Sequence, residues 1–405
     1  MKDKIFVPAD IMLPHDMTDK WSVVACDQFS AQRDYWDRVN EYVGDEVSTL
    51  RMILPEAYLG DNDTEKRAAD IDDTMVQYLE NAVFKTLCDS FIYVERTTSA
   101  GVRRGLVGAL DLEQYDYAPG TDAAVRASEN TVVARLPARV KVRRRAALEL
   151  PHIMALIDDE KKSVIEPLGE MKDELLKQYD FDLMENGGHI AGWGVIGDHA
   201  KNVEKAFYEA FSDREVQVII GDGNHSLAAA KTYWDEIKVN IPEDEREKHP
   251  ARYALVEINN VYDDAIVFEA IHRVVFDTDP EKAIGYFIEN ADKTGAHEYE
   301  VAYLTRDTEG TVSVFADSVG QLIGKVQALC DEIADKFGGE IDYIHGGDTT
   351  RELSRKEGSA GFMLPSMGKS DFFATVSAGG MFPKKSFSIG HAEEKRYYME
   401  CRKIK

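Results

Sequence analysis

The chain has 405 residues, 44% hydrophobic and 30% charged, with 48 Lys and Arg against 74 Asp and Glu and a net charge of −26. That length exceeds one ordinary core and predicts more than one domain. The acidic balance argues against wholesale binding of nucleic acid or of an anionic membrane. Four dispersed cysteines, Cys26, Cys88, Cys330 and Cys401, form no C-x-x-C pair, which points to reduced thiols rather than to zinc or a disulfide framework. The N-terminal stretch lacks the apolar region of a signal peptide, and no segment approaches 18 apolar residues. A cytoplasmic protein is expected.

Short apolar runs broken by prolines predict extended segments at Ile5–Val7 and Trp21–Ala25. A helix is expected from about residue 31 to 43, capped by Ser30. The spacing of Ala69, Ile71, Met75, Tyr78 and Leu79 predicts a helix over 64–84. The runs SFIYVERTT and RRGLVGALDL, separated by SAGV, read as a hairpin. Residues 130–158 mix a short strand signal with a strongly basic helix, and the stretch 164–184 reads as helical. Further helix is expected near 199–211. YALVEINN and AIVFEAIHRVVF read as strands, PEKAIGYFIEN as helix, GTVSVFAD as strand and GQLIGKVQALCDEIADKFGG as helix. The class is α+β, with mixed sheets and flanking helices. Loops near 116–122 and 240–250 suggest three parts, 1–118, 119–245 and 246–405, the last intertwined with the middle one.

Residues 218–231, VIIGDGNHSLAAAK, join a β-branched run, a glycine turn and a helix start. Helix-start amides lack internal partners and carry the positive end of the helix dipole, so the turn suits a phosphate. Gly221 and Gly223 allow close backbone approach, and Asn224, His225 and Ser226 add donors. Asp222 could hold a metal ion or accept a proton; the alternative is that Asp222 or Asn224 merely caps the helix. A second constellation, Arg126, Arg135, Arg139, Lys141, Arg143, Arg144 and Arg145, forms a basic patch around Glu129. It suits phosphate, or else it is a solvated face paired to nearby carboxylates. The tail holds Lys384, Lys385, Lys395 and Arg396 around Ser386, Ser388 and His391, and could close over an anion or dock as a strand. GWGVIG, at Gly192, Gly194 and Gly197, lacks a preceding strand and is not read as a dinucleotide site. Six residues separate Gly361 from Gly368, with Pro365 among them, so GFMLPSMGKS is not a P-loop. His152, His189, His199, His272 and His345 occur singly and read as structural.

WSVVACDQFSAQRDYW, SENTVVARLPARVKVRRRAALELPHI, DGNHSLAAAK, GFMLPS, MFPKKSFSIG and EKRYYMECRKI together resemble the bacterial family known as domain of unknown function 1015. That family's Asp-Gly-His-His-Arg turn is similar to the phosphate-binding turn of the ParB, sulfiredoxin and free serine kinase superfamily. The resemblance implies a ParB/sulfiredoxin-like core around 218–231. Asp222, Gly223 and His225 match the motif; Asn224 and Ser226 depart from it, and the arginine expected at Ser226 is missing. The implied activity is phosphoryl transfer from ATP or ADP, with Mg²⁺ on Asp222, to a small hydroxyl metabolite such as free L-serine. Glu129 would be the base, and the Arg126–Arg145 patch would supply the missing cation. The alternative is a non-catalytic binder of a nucleotide or phosphometabolite. No membrane partner is implied, and nucleic acid is disfavoured by the charge.

Overall fold

The computed structural model describes residues 4–378 and 380–405, the side chain of Arg135 excepted. The chain forms two compact units. The first comprises residues 1–127, 131–266 and 390–405; the second comprises 128–130 and 267–389. The breaks expected after 118 and 245 therefore fall inside the first unit, because strands on both sides of each break share one sheet.

In chain order the strands of the first unit are β1 (Phe6–Val7), β2 (Ala9–Pro14), β3 (Phe84–Thr98), β4 (Gly101–Asp111), β5 (Tyr115–Asp116), β6 (Val125–Ala127), β7 (Leu148–Glu149), β8 (Met154–Ile157), β9 (Leu176–Asp182), β10 (His189–Val195), β11 (Val218–Asp222) and β12 (Tyr253–Asn260). Its main sheet runs β5-β6-β11-β8-β12-β4-β3-β10-β9, with β1 on β4 and β2 on β3. The sheet is mixed: β6 and β11 are parallel, as are β8 and β12, whereas β11 and β8 are antiparallel. Val218, Ile219 and Ile220 are fully buried, as a continuous apolar run in a central strand requires. The second unit holds β13 (Phe268–Phe276), β14 (His297–Leu304), β15 (Glu309–Ala316), β16 (Glu340–His345), β17 (Ala360–Met363) and β18 (Phe387–Ile389). Their order is β15-β14-β17-β13-β16, with β18 on β13. The helices Pro280–Asn290 and Val319–Phe337 pack on each other, and Phe287 stacks on Phe362. Residues 390–405 return to the first unit, where β19 (Arg402–Lys403) pairs with β7.

Three local expectations need correction. The first helix spans Arg33–Val43 with Gln32 at its N-cap and no side-chain cap bond, so Ser30 does not cap it. The second spans Thr64–Glu80, and the residues expected to finish it lead instead into β3. The stretch 164–184 is a short helix, Glu166–Glu170, followed by β9. There Tyr179 and Phe181 alternate with Asp180 and Asp182, and pairing with β10 favours the period of two over the helical residues upstream.

Candidate functional site

β11 ends at Asp222, and the helix Asn224–Lys238 begins two residues later. Gly223 is the helix N-cap, at φ +78°, and a Cβ there would stand 2.9 Å from the Ile153 Cα. Both the left-handed backbone and the close approach require glycine. The N-cap position is held by Gly223, which has no side chain to cap with, so neither Asp222 nor Asn224 occupies it. The Asp222 Oδ1 accepts the Gly223 N–H at 2.8 Å, outside the helix. The register between β11 and β8 shifts between Ile220 and Asp222, so Gly221 forms a bulge at the point where the strand turns into the site.

The same register explains what surrounds the turn. Asp222 pairs with Met154 at the start of β8, so the residues just before β8 lie beside the helix start. His152 Nε2 is 3.1 Å from Ser226 Oγ, and His152 Nδ1 is 2.9 Å from the Tyr398 hydroxyl. That hydroxyl accepts the Cys26 N–H at 3.2 Å. Asp27 Oδ1 lies 3.9 Å from His152 Nε2. On the other flank β6 runs parallel to β11, so the chain leaves both at the same end. The Val132 N–H beyond β6 donates to His225 Nε2 at 3.1 Å, which places the proton of a neutral His225 on Nδ1.

Lys395 completes the turn, its Nζ standing 3.3 Å from Asp222 Oδ2. The Lys395 side chain is 12% exposed and that of Asp222 27%. Burial pushes the Asp222 carboxyl up, but Lys395, His152 and the Gly223 N–H together outweigh it and hold the group below its ordinary value. Burial, with Asp27 adding to it, lifts the Cys26 thiol to about 12, so it stays protonated.

The basic patch answers to carboxylates. Arg126, buried in β6, donates to Glu215 at 2.7 Å and to the Ala123 carbonyl at 2.8 Å. Arg139 pairs with Glu56 and Lys141 with Glu65. Arg143 meets buried Glu149 at 2.6 Å, while Arg144 and Arg145 pair with Glu236 and Asp72. Arg139 and Glu56 border the turn's surroundings, since the Glu56 N–H donates to the Cys26 carbonyl at 2.7 Å. Glu129 belongs to the second unit, where it bridges Phe382. Gly192 and Gly194 lie within β10 and Gly197 opens the helix Gly197–Phe211, so a strand does run through this motif, contrary to the sequence reading. His152, Tyr398 and Asp27 are the residues that sequence reasoning passed over. Their only sequence signal is that each lies in a stretch shared with the resembled family.

The family model described as "Protein of unknown function (DUF1015)" matches residues 9–359. The chain belongs to that family. Among solved structures it is similar to free serine kinase in complex with AMP, at 11% identity and TM-score 0.39, covering 73% of this chain and 91% of that one. A conserved hypothetical protein from Pyrococcus furiosus is similar at 11% identity and TM-score 0.34, over 72% and 90%. SbnI from Staphylococcus aureus, truncated at its C-terminus, is similar at 10% identity and TM-score 0.35, over 70% and 82%. No curated protein matches the sequence. Among the described residues of this DUF1015 member, no helix is long and apolar enough to cross a membrane.

Proposed function

We propose that this protein is a nucleotide-dependent phosphotransferase acting on a small hydroxyl metabolite, with free L-serine as the first acceptor to test. The observation that carries the reading is the Asp222–Lys395 pair at the mouth of a helix whose N-cap is a left-handed glycine. Helix-start amides and a nearly buried ammonium together suit a phosphate. Lys395 supplies the cation that Ser226 does not. A hard divalent ion takes one or two carboxylates from a protein and fills its shell with phosphate oxygens and water. Asp222, held ionised, fits that demand and would hold Mg²⁺, which when bound neutralises charge on the transferring phosphates. Asp27 is a carboxylate of the first unit that comes within 3.9 Å of His152, and we assign it as base on the acceptor hydroxyl. Glu129 of the second unit is the competing assignment. Asp27→Asn against Glu129→Gln separates them: the true base loses turnover by about 10²–10⁴-fold while keeping nucleotide affinity.

Calorimetric titration of wild type and Asp222→Asn with ATP and ADP, at matched Mg²⁺, tests the whole reading. Asparagine keeps the size and loses the anion that the metal requires. The Mg²⁺-dependent part of the affinity should vanish, and turnover with it. Equal affinity together with equal turnover would refute the metal role. Binding without turnover in the wild type, whatever hydroxyl acceptor is offered, would make the protein a nucleotide sensor instead.

A further inference from the structure

We propose that Ser226 is a nucleophile, activated by His152, that takes the phosphoryl group onto its own oxygen before an acceptor receives it. The inference rests on the phosphotransferase reading and adds a covalent intermediate to it. Ser226 is half-buried in the first turn of the helix Asn224–Lys238, and His152 beside it is 8% exposed. Their 3.1 Å separation is hydrogen-bond reach for a nucleophile and its base.

The far side of the imidazole sets its tautomer. The Tyr398 hydroxyl accepts the Cys26 N–H at 3.2 Å. In the arrangement proposed, the same oxygen accepts the His152 Nδ1–H at 2.9 Å. Nε2 is then the bare nitrogen facing the Ser226 hydroxyl, as a base must be. Tyr398 thus acts as a positioning residue. The ring is held by an edge-on contact with the Tyr398 ring at 5.4 Å.

In the step itself, Ser226 Oγ forms a bond to the γ-phosphorus of a nucleoside triphosphate. The bond from that phosphorus to the β,γ-bridging oxygen breaks, and the nucleoside diphosphate leaves with the electron pair. The Oγ proton passes to His152 Nε2. The acceptor hydroxyl then attacks the phosphoserine, its proton is taken up by Asp27, and Ser226 Oγ recovers a proton from His152. Lys395 and the helix-start amides receive the charge on the phosphoryl oxygens throughout.

The test incubates the full chain with γ-phosphoryl-labelled ATP and Mg²⁺ and no acceptor, using wild type, Ser226→Ala and His152→Gln. Nucleotide binding to each is measured by calorimetry. Wild type should acquire a label that survives acid and is lost in alkali, mapped by mass spectrometry to Ser226. Ser226→Ala should bind ATP and take no label. His152→Gln should label about 10²-fold more slowly or worse. Nucleotide binding and turnover without any label, a label of opposite stability on a histidine, a hydroxylamine-sensitive label on a carboxylate, or wild-type turnover by Ser226→Ala would each overturn the inference and leave the phosphotransferase standing. Failure of wild type to bind nucleotide would overturn both.

Discussion

Asp222 carries a charge that two neighbours and one backbone amide keep in place. Because its folded carboxyl lies below the ordinary value of about 3.9, the stability it contributes is fully present above about pH 4. It is lost only as pH falls through the lowered folded value. Lys395→Met removes the principal cation and lets the carboxyl titrate higher. The stability gap between wild type and Lys395→Met should be widest at neutral pH and narrow as the pH falls through the carboxyl's range. Urea denaturation across that range measures it, and a gap that grew with acidity would contradict the pairing. Ser226 shows how a departure from a motif can be informative. Where the resemblance led to the expectation of an arginine, Ser226 carries a hydroxyl that meets a histidine, and Lys395 brings a positive charge to Asp222.

Lys395 owes its place to a segment held from beneath. Arg96 on β3 donates to the carbonyls of Lys395 at 2.6 Å, Glu393 at 2.8 Å and Gly187 at 2.8 Å. Arg103 on β4 reaches the Glu394 carbonyl. Arg396 is locked between Glu257 at 2.9 Å and Glu400 at 2.7 Å. Arg96→Met strands several buried carbonyls without donors and should cost about 1–3 kcal/mol in urea unfolding. It should also weaken nucleotide binding, although Arg96 touches only protein, because Lys395 loses its mooring. A loss of stability with unchanged affinity would show that the segment holds itself. Much at this scale was legible in the sequence. The strand–turn–helix at 218–231, the hairpin of β3 and β4, and the strands β12 and β13 follow from β-branched runs and turn residues. The strand β9 was misread because its upstream residues favour helix, while its partner β10 cannot be seen from composition. His152 and Lys395 were visible only as a lone histidine and a tail cation, since a sheet register and a crossing of the chain bring them together. The patch around Arg139 stood out by charge, but its carboxylates come from elements elsewhere in the sequence.

Taken whole, the first unit is closed by residues distant in sequence, near 12–24 and near 397–401. Trp21 Nε1–H donates to the Met399 carbonyl at 2.8 Å, and the Ser22 hydroxyl donates to the Tyr398 carbonyl at 2.6 Å. Val24 bridges Tyr397, and Met12 bridges Cys401. Trp21, Val23, Val24, Tyr397, Met399 and Cys401 are all within 1% of complete burial. A chain ending at residue 389 should therefore lose the cooperative unfolding transition of the first unit, seen as a flattened near-ultraviolet circular dichroism melt. A sharp transition retained by that truncation would mean the tail only decorates the sheet.

This stitching sets an order on biosynthesis. As the polypeptide emerges from the ribosome, Trp21 and its neighbours appear early, yet their partners between 396 and 404 are translated last of all the residues they need. At about 5–20 residues per second, the intervening stretch leaves an apolar surface waiting for tens of seconds. During that interval the segment 267–389 can complete its own sheet, while the first unit stays open and exposed to chaperones. The turn at Asp222 gains Lys395 only after the 172 residues between them have been made, so the nascent chain holds a half-built turn until then.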